Sequence, residues 1–495
     1  MDDEQLPLVH RDGSDAGDSL QRQLSSYHDR QRARQKRSTR SKTVGRATVG
    51  FLAAALLTLL LVALSWPAQR NERAVELRTL LDAYQHAKNF SGVVRLSHNG
   101  QKKLQQAMGM ANVPFKQQME EHSIFPMGAH VQLLMAVAMH QLQEKGVVQL
   151  HKPVDEYWTV KDWREFGVPK NQTTWCPRVK GQEECEQVTF QHLLYMGSGI
   201  QKTSETVGSL GVQVGSFIDA PLAFKPGTSY DYVEENYVLL AYMVEKFSGL
   251  SFGGYLEKHI FQALGLKLTT FDPYSGAVKI RHGLVDQYVQ FYAHRQPNVS
   301  ESETSDSSSG TEVVPEKHLH HMSTGSCAIY QTLENSLHGL QSTGKDMHKI
   351  YTDLFHARGL HSKLLTPESI AQIVRTRNPV YPAFGQGIGV DFEETKDADW
   401  PAKIAFCGST ACSTTCMAMQ MPTANMSIVS SAFTNDVRLY FPSVDAFHAY
   451  KPLDFMDKRD SKVEELDAFE KNDGEVNTLA WSLLQVFLRF YTSDE

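Results

Sequence analysis

Apolar positions along this chain fall into three patterns, and each predicts a different element. The first is an unbroken run, "ATVGFLAAALLTLLLVALSW", from Ala47 to Trp66. It is uncharged and, at 20 residues, long enough to cross a hydrocarbon core of about 30 Å as a helix. The second pattern is helical spacing. "ERAVELRTLLDAYQHAK" predicts a stem helix between the apolar run and residue 84. "FPMGAHVQLLMAVAMHQLQEKGVVQL", Phe125 to Leu150, reads as a tight Gly turn and a buried helix with Gly146 past its end. "VTFQHLLYMGSGI" predicts a short helix before a Gly-Ser-Gly loop. "FKPGTSYDYVEENYVLLAYMVEKFSG" predicts a Pro-Gly turn and a long helix to Gly249. "HGLQSTGKDMHKIYTDLF" starts another helix after Ser-Thr, and "NTLAWSLLQVFLRFY" closes the chain with a last one. The third pattern is alternation. "FSGVVRLSHNGQKKLQQAMGMAN" predicts a hairpin around His-Asn-Gly. "FGQGIGVDF", "KIAFCGSTACSTTCMAMQMP" and "MSIVSSAF" predict successive strands. Strands at both ends enclose helices in the middle, the order of an α+β domain over residues 85–495. An acidic, Ser-rich stretch at 298–318 reads as an exposed insertion.

Charge settles the orientation of the apolar run. The chain carries −7, yet residues 1–46 carry +3 and the remainder −10. The acidic body gives no footing for nucleic acid. The Arg- and Lys-rich flank "RQRARQKRSTRSKTVGR" precedes the run, so the positive-inside rule places the N-terminus in the cytosol. A cleaved signal peptide would have a shorter apolar core and fewer residues before it. The expectation is a single-pass type II membrane protein: a polar tail at 1–46, an anchor at 47–66, a stem at 67–84 and a domain outside the cytosol, at the plasma membrane or an endolysosomal membrane. "EQLPLV" in the tail resembles an acidic dileucine sorting signal, and a random acidic tail would read the same.

Modification patterns agree. N-x-S/T triplets occur at Asn89, Asn171, Asn298 and Asn425, all beyond the apolar run. "WCPRVKGQEEC" predicts a polar loop closed by a Cys176–Cys185 disulfide. The pairing of Cys327, Cys407, Cys412 and Cys416 is open. A metal site there lacks a His at finger-like spacing, so none is expected, and no cofactor is indicated.

The order of these segments resembles the serine β-lactamase and penicillin-binding-protein family, in its class C-like, β-lactamase-related branch. The likeness runs over residues 88–435, carried by "FSGVVRLSHNG", "SIFPMG", "QLQEKGVVQLHKPVDEYW", "VTFQHLLYMGSGI", "FKPGTSYDYVEENYVLLAYMVEKFSG", "IFQALGL", "GLQSTGKDM", "LLTPESI" and "FGQGIGVDF". The resemblance implies an antiparallel sheet packed by helices, with a mainly helical subdomain. It also implies three catalytic motifs, and each has changed. In S-x-x-K, Ser and Lys share one helix face, so the amine can take the hydroxyl proton. Here Ala129 and Gln132 stand in those places. A methyl group cannot attack a carbonyl, and an amide is no base. In Y-x-N, Tyr232 is kept and Glu234 replaces Asn. In K-T-G or H-x-G, Phe406-Cys407-Gly408 keeps only the glycine. The one intact S-x-x-K, Ser342 to Lys345, lies in "GLQSTGKDM", where Ser342 or Thr343 caps a helix.

The reading is a pseudoenzyme: a β-lactamase-like domain whose cleft, lined by Ala129, Gln132, Tyr232, Glu234 and Phe406, serves binding or scaffolding for an unidentified protein or small molecule. The rival is a working hydrolase, esterase or peptidase using His130, Ser198, Tyr232 or Cys407. His192 belongs to a helix phrase and reads as structural. A third reading is a homo-oligomeric structural protein.

Overall fold

The computed structural model describes Ser25, Arg32 and Ala55 singly, then residues 74–441 and 473–489. Within the long span it leaves out 87–89, 114, 169–173, 204–207, 272–282, 286, 294–315, 323–338, 394–399, 410–412 and 424. Apart from Ala55, the apolar run 47–66 lies outside the described residues, as do the acidic insertion up to residue 315 and Asn89, Asn171, Asn298, Cys327 and Cys412. No helix among the described residues is long and apolar enough to cross a membrane. The chain divides into two compact units, Met1–Glu76 and Leu77–Glu495, and the second carries the folded domain.

The centre of that domain is a six-stranded antiparallel sheet. In chain order the strands are β1 (Gly92–His98), β2 (Gln101–Met108), β3 (Gly389–Asp391), β4 (Lys403–Ser409), β5 (Thr414–Thr423) and β6 (Met426–Thr434). Their order in space is β3-β4-β5-β6-β1-β2. The first hairpin turns at Asn99 and Gly100, both left-handed (φ 47° and 75°), as a two-residue Asn-Gly loop requires. β1 then pairs with β6, so the two ends of the domain meet in the middle of one sheet, Val94 opposite Ala432.

The alternation along the strands sorts side chains into two cores. Val93, Met417, Met419, Val429 and Phe433 join the larger core on one face. Their sequence neighbours Val94, Cys416, Ala418, Ile428 and Ala432 join a second core on the other. Since successive strand residues point to opposite faces, both faces must be covered. The larger core is built with α2 (Val131–Glu144), α3 (Phe190–Leu194), α4 (Glu235–Ser248) and α5 (Gly344–Phe355). The second core is closed by α6 (Asp473–Arg489) through Leu479, Leu483, Leu484 and Phe487, and by α1, residues 74–86.

That last contact adds to the reading of the helix. The helix foreseen as a stem within 67–84 buries Leu77 and Leu81 among sheet and α6 side chains. Its apolar stripe therefore packs within the compact unit that runs from Leu77. Helical spacing shows that a stripe exists but not what it packs against. The other predicted helices end as read: Gly249 closes α4 at φ 69°, and Gly146 follows α2 at φ 72°.

Candidate functional site

The tight turn before α2 is made by Gly128, at φ 49°, followed by a single 3-10 turn over Gly128–His130. Ala129 stands half-buried on that turn, and α2 runs on from Val131. Two glycines let other segments press against it. A Cβ on Gly408 would collide with the Met127 carbonyl and lie 3.1 Å from the Ala129 nitrogen. A Cβ on Gly387, already at φ 71°, would lie 2.5 Å from the Gln132 carbonyl oxygen. Real side-chain carbons do not come so near, so both positions require glycine.

At the second position of α2, Gln132 is 3% exposed. Its Nε2 donates a hydrogen bond to the hydroxyl of Tyr232, which is 41% exposed. Residues 100 apart in sequence thus meet, at the two positions that the resemblance assigns to a base and a phenol. Glu234, half-buried, occupies the N-cap position of α4 without capping it through its side chain. Phe406 lies edge-on to His130, with ring centres 5.6 Å apart, and 6.2 Å from Phe384. Phe384 continues the aromatic wall to Tyr232 at 6.4 Å and Tyr230 at 5.7 Å, and Tyr230 meets the tilted ring of Tyr381 at 4.7 Å. Burial pushes the Tyr230 phenol up to about 12, helped by Tyr381 and Asp231, so it stays protonated at neutral pH.

Ala129, Gln132, Tyr232, Phe406 and Gly408 are therefore linked by direct contacts or through His130 and Phe384, and Glu234 follows Tyr232 by two residues. The arrangement offers a methyl group, an amide, a phenol and aromatic faces. None of these is an activated nucleophile. The sequence reading missed Phe384, Tyr230 and Tyr381. Phe384 opens a stretch read only as a strand, and its ring partners lie far away in the chain.

The substitute nucleophiles and bases are committed elsewhere. Ser198 is fully buried; its Oγ donates to Asn236 Oδ1 on α4 and accepts from the Ile200 N–H at 3.0 Å. His130 is 1% exposed and its Nε2 donates to the Thr415 carbonyl at 2.9 Å, with burial holding its pKa down at about 4. Cys407 is no thiol: it is bonded to Cys416, its direct cross-strand partner on β5. The alternation also turns Cys407 toward the second core, away from its neighbours Phe406 and Gly408. Cys176–Cys185 forms as predicted. His192 accepts the Thr189 N–H through Nδ1 at 3.2 Å and so belongs to the N-terminal cap of α3.

Ser342 and Lys345 do not form a pair either. Ser342 is fully buried against the Thr269 hydroxyl at 2.8 Å, while Lys345 is exposed. Thr343, not Ser342, caps α5, its Oγ1 accepting from the Asp346 N–H at 3.2 Å.

Comparison with known proteins places this geometry. Sequence similarity reaches the "Putative penicillin-binding protein PbpX" of Bacillus subtilis (strain 168), 26% identical over 196 residues, which are 39% of this chain and 44% of that protein. The chain thus spans less than half the length of that relative. Among solved structures, a D-amino acid amidase from Ochrobactrum anthropi SV3 superposes with a TM-score of 0.54 at 14% identity, covering 84% of this chain and 99% of the other. The octameric penicillin-binding protein homologue from Pyrococcus abyssi superposes with a TM-score of 0.53 at 17% identity, covering 73% of each chain. At such identities these two likenesses establish the fold. The family model for Beta-lactamase matches residues 77–402, starting where the compact unit starts. The chain belongs to the Beta-lactamase family.

Proposed function

We propose that this chain is a non-catalytic member of its family, a membrane-anchored pseudoenzyme whose domain lies outside the cytosol and acts by binding or scaffolding. The observation that carries the reading is the turn Gly128–Gln132. It keeps the approach of Gly408 to Ala129, and a hydrogen bond still reaches Tyr232, but the two reacting groups are a methyl and an amide. A nucleophile and its base act as a unit, and losing either removes most of the catalysis. The remaining hydroxyl, imidazole and sulfur candidates hold structural bonds, which weighs against the working-hydrolase alternative.

The test is covalent labelling of the full chain with a fluorophosphonate and a fluorescent penicillin. The proposal expects no adduct from either probe. An adduct mapped to one residue overturns it and names the nucleophile.

Anchoring through Ala47–Trp66 is supported by the charge-free run, its basic flank and the Cys176–Cys185 and Cys407–Cys416 disulfides, which suit an oxidising compartment. Of the four sequons, Asn425 is described and lies exposed on the turn between β5 and β6. A homo-oligomer is the second reading, favoured by the octameric state named for the Pyrococcus abyssi homologue. Sedimentation of the chain as a strict monomer across the micromolar range would remove it.

A further inference from the structure

Among the described residues, three imidazoles are buried beside the larger core, at most 3% exposed, and each joins a helix to something else. His130, at the start of α2, faces Phe406 and Gly408 of β4 and donates from Nε2 to the Thr415 carbonyl of β5. Its Nδ1 has no hydrogen-bond partner among the described residues. His140, in the middle of α2, is fully buried and donates from Nε2 to Gln386 Oε1 at 2.6 Å, in the loop that carries Gly387. Its Nδ1 also has no partner among the described residues. His348, on α5, lies between the hydroxyls of Ser97 on β1, 2.7 Å from Nδ1, and Ser431 on β6, 2.9 Å from Nε2.

The partners of all three rings are carbonyl, amide and hydroxyl groups. Two charged groups act on them. Glu144, one turn along α2, favours the protonated form of His140 weakly. The Arg95 guanidinium on β1 disfavours it for His348. Protonating His130 or His140 would add a buried N–H donor where no acceptor waits. Protonating His348 would put a second cation near Arg95. Each change is costly in a buried site.

We propose that these three neutral imidazoles form an acid-release device: they fasten α2 to the sheet and to the Gly387 loop, and α5 to the sheet, near neutral pH, and acidification frees the two helices. The direction follows from linkage. Burial holds the folded-state pKa of His130 and His140 down at about 4 and that of His348 well below the usual value. An unfolded or opened segment takes up protons below a pH of about 6.5, whereas the closed fold does not. The contribution of the rings is complete above that pH and is lost as pH falls. The carboxyls of Glu235 and Glu245 on α4, raised by burial, act in the opposite sense in the carboxylate range. The proposal does not depend on whether the site is catalytic. It bears on the compartment: the domain is built for a neutral exterior and comes loose in an acidified lumen.

The experiment is amide hydrogen exchange on the full chain at pH 7, 6 and 5, corrected for the intrinsic exchange rate, read on peptides from α2, α5 and β5. Opening that exposes one ring should lose protection about eight-fold between pH 6 and pH 5, and opening that exposes all three several hundred-fold. His140→Asn should reduce the pH dependence on α2 by one proton. His348→Asn provides the same one-proton test on α5 if the first variant does not fold. Protection that stays constant from pH 7 to pH 5, or a pH dependence unchanged in the folded variant, overturns the proposal.

Discussion

Two turns of this chain open helices against the same inner face of the sheet, and they divide a motif between them. The turn at Ala129–Gln132 has the place but not the residues. The turn at Ser342–Lys345 has the residues but not the place. At the first, Gly408 and Gly387 bring strand and loop backbone against the helix start, and Tyr232 reaches in to meet Gln132. At the second, the serine is sealed against Thr269 and Thr343 spends its hydroxyl on the helix cap. Chemistry needs a reactive pair in a reachable setting with supporting groups, and neither turn has all three. A motif is a claim about residues and surroundings together, and each turn supplies only one of the two.

The comparison can be broken at each turn. The largest effect is expected at Gly408→Val. The new side chain must push β4 off the Gly128 turn, so the domain should lose about 1–3 kcal/mol or more to overpacking, measured by urea unfolding. A loss no larger than that of an exposed substitution would show that strand and turn are not pressed together. Next, Thr343→Ala should cost about 1 kcal/mol by removing the cap of α5, and Ser342→Ala about as much by leaving a buried hydroxyl short of a partner. If either variant instead abolished a hydrolytic activity, the second turn would be the working one. Asn425→Gln should leave stability unchanged and remove one glycosidase-sensitive mass increment. Absence of that increment in the natural chain would contradict glycosylation on the β5–β6 turn.

Much of this fold is readable in the sequence. Period-two alternation marks the strands and, through it, the facing of Cys407 toward the second core could have been anticipated. The sheet also pairs the first strand with a late one, which was not legible, since local patterns carry no information on which strands meet. The Leu77–Leu81 stripe was legible as a helix, while its burial depended on α6, some four hundred residues later. The site was read through its changed motifs. Phe384, Tyr230 and Tyr381 escaped because their rings join Tyr232 and Phe406 in one wall only when distant segments come together. Ser198 looked available in its Gly-Ser-Gly loop because its partner, Asn236, lies on another helix.

The most direct measurement concerns the first turn: fluorophosphonate labelling of the double variant Ala129→Ser plus Gln132→Lys. Residues three apart on one helix face would set the new amine beside the new hydroxyl. If the cleft has kept its form and lost only its reacting groups, the folded double variant gains a covalent adduct on the introduced serine, and neither single change does. A folded double variant that stays unlabelled would contradict the account, because the scaffold around Ala129 would then no longer present a reactive group at all.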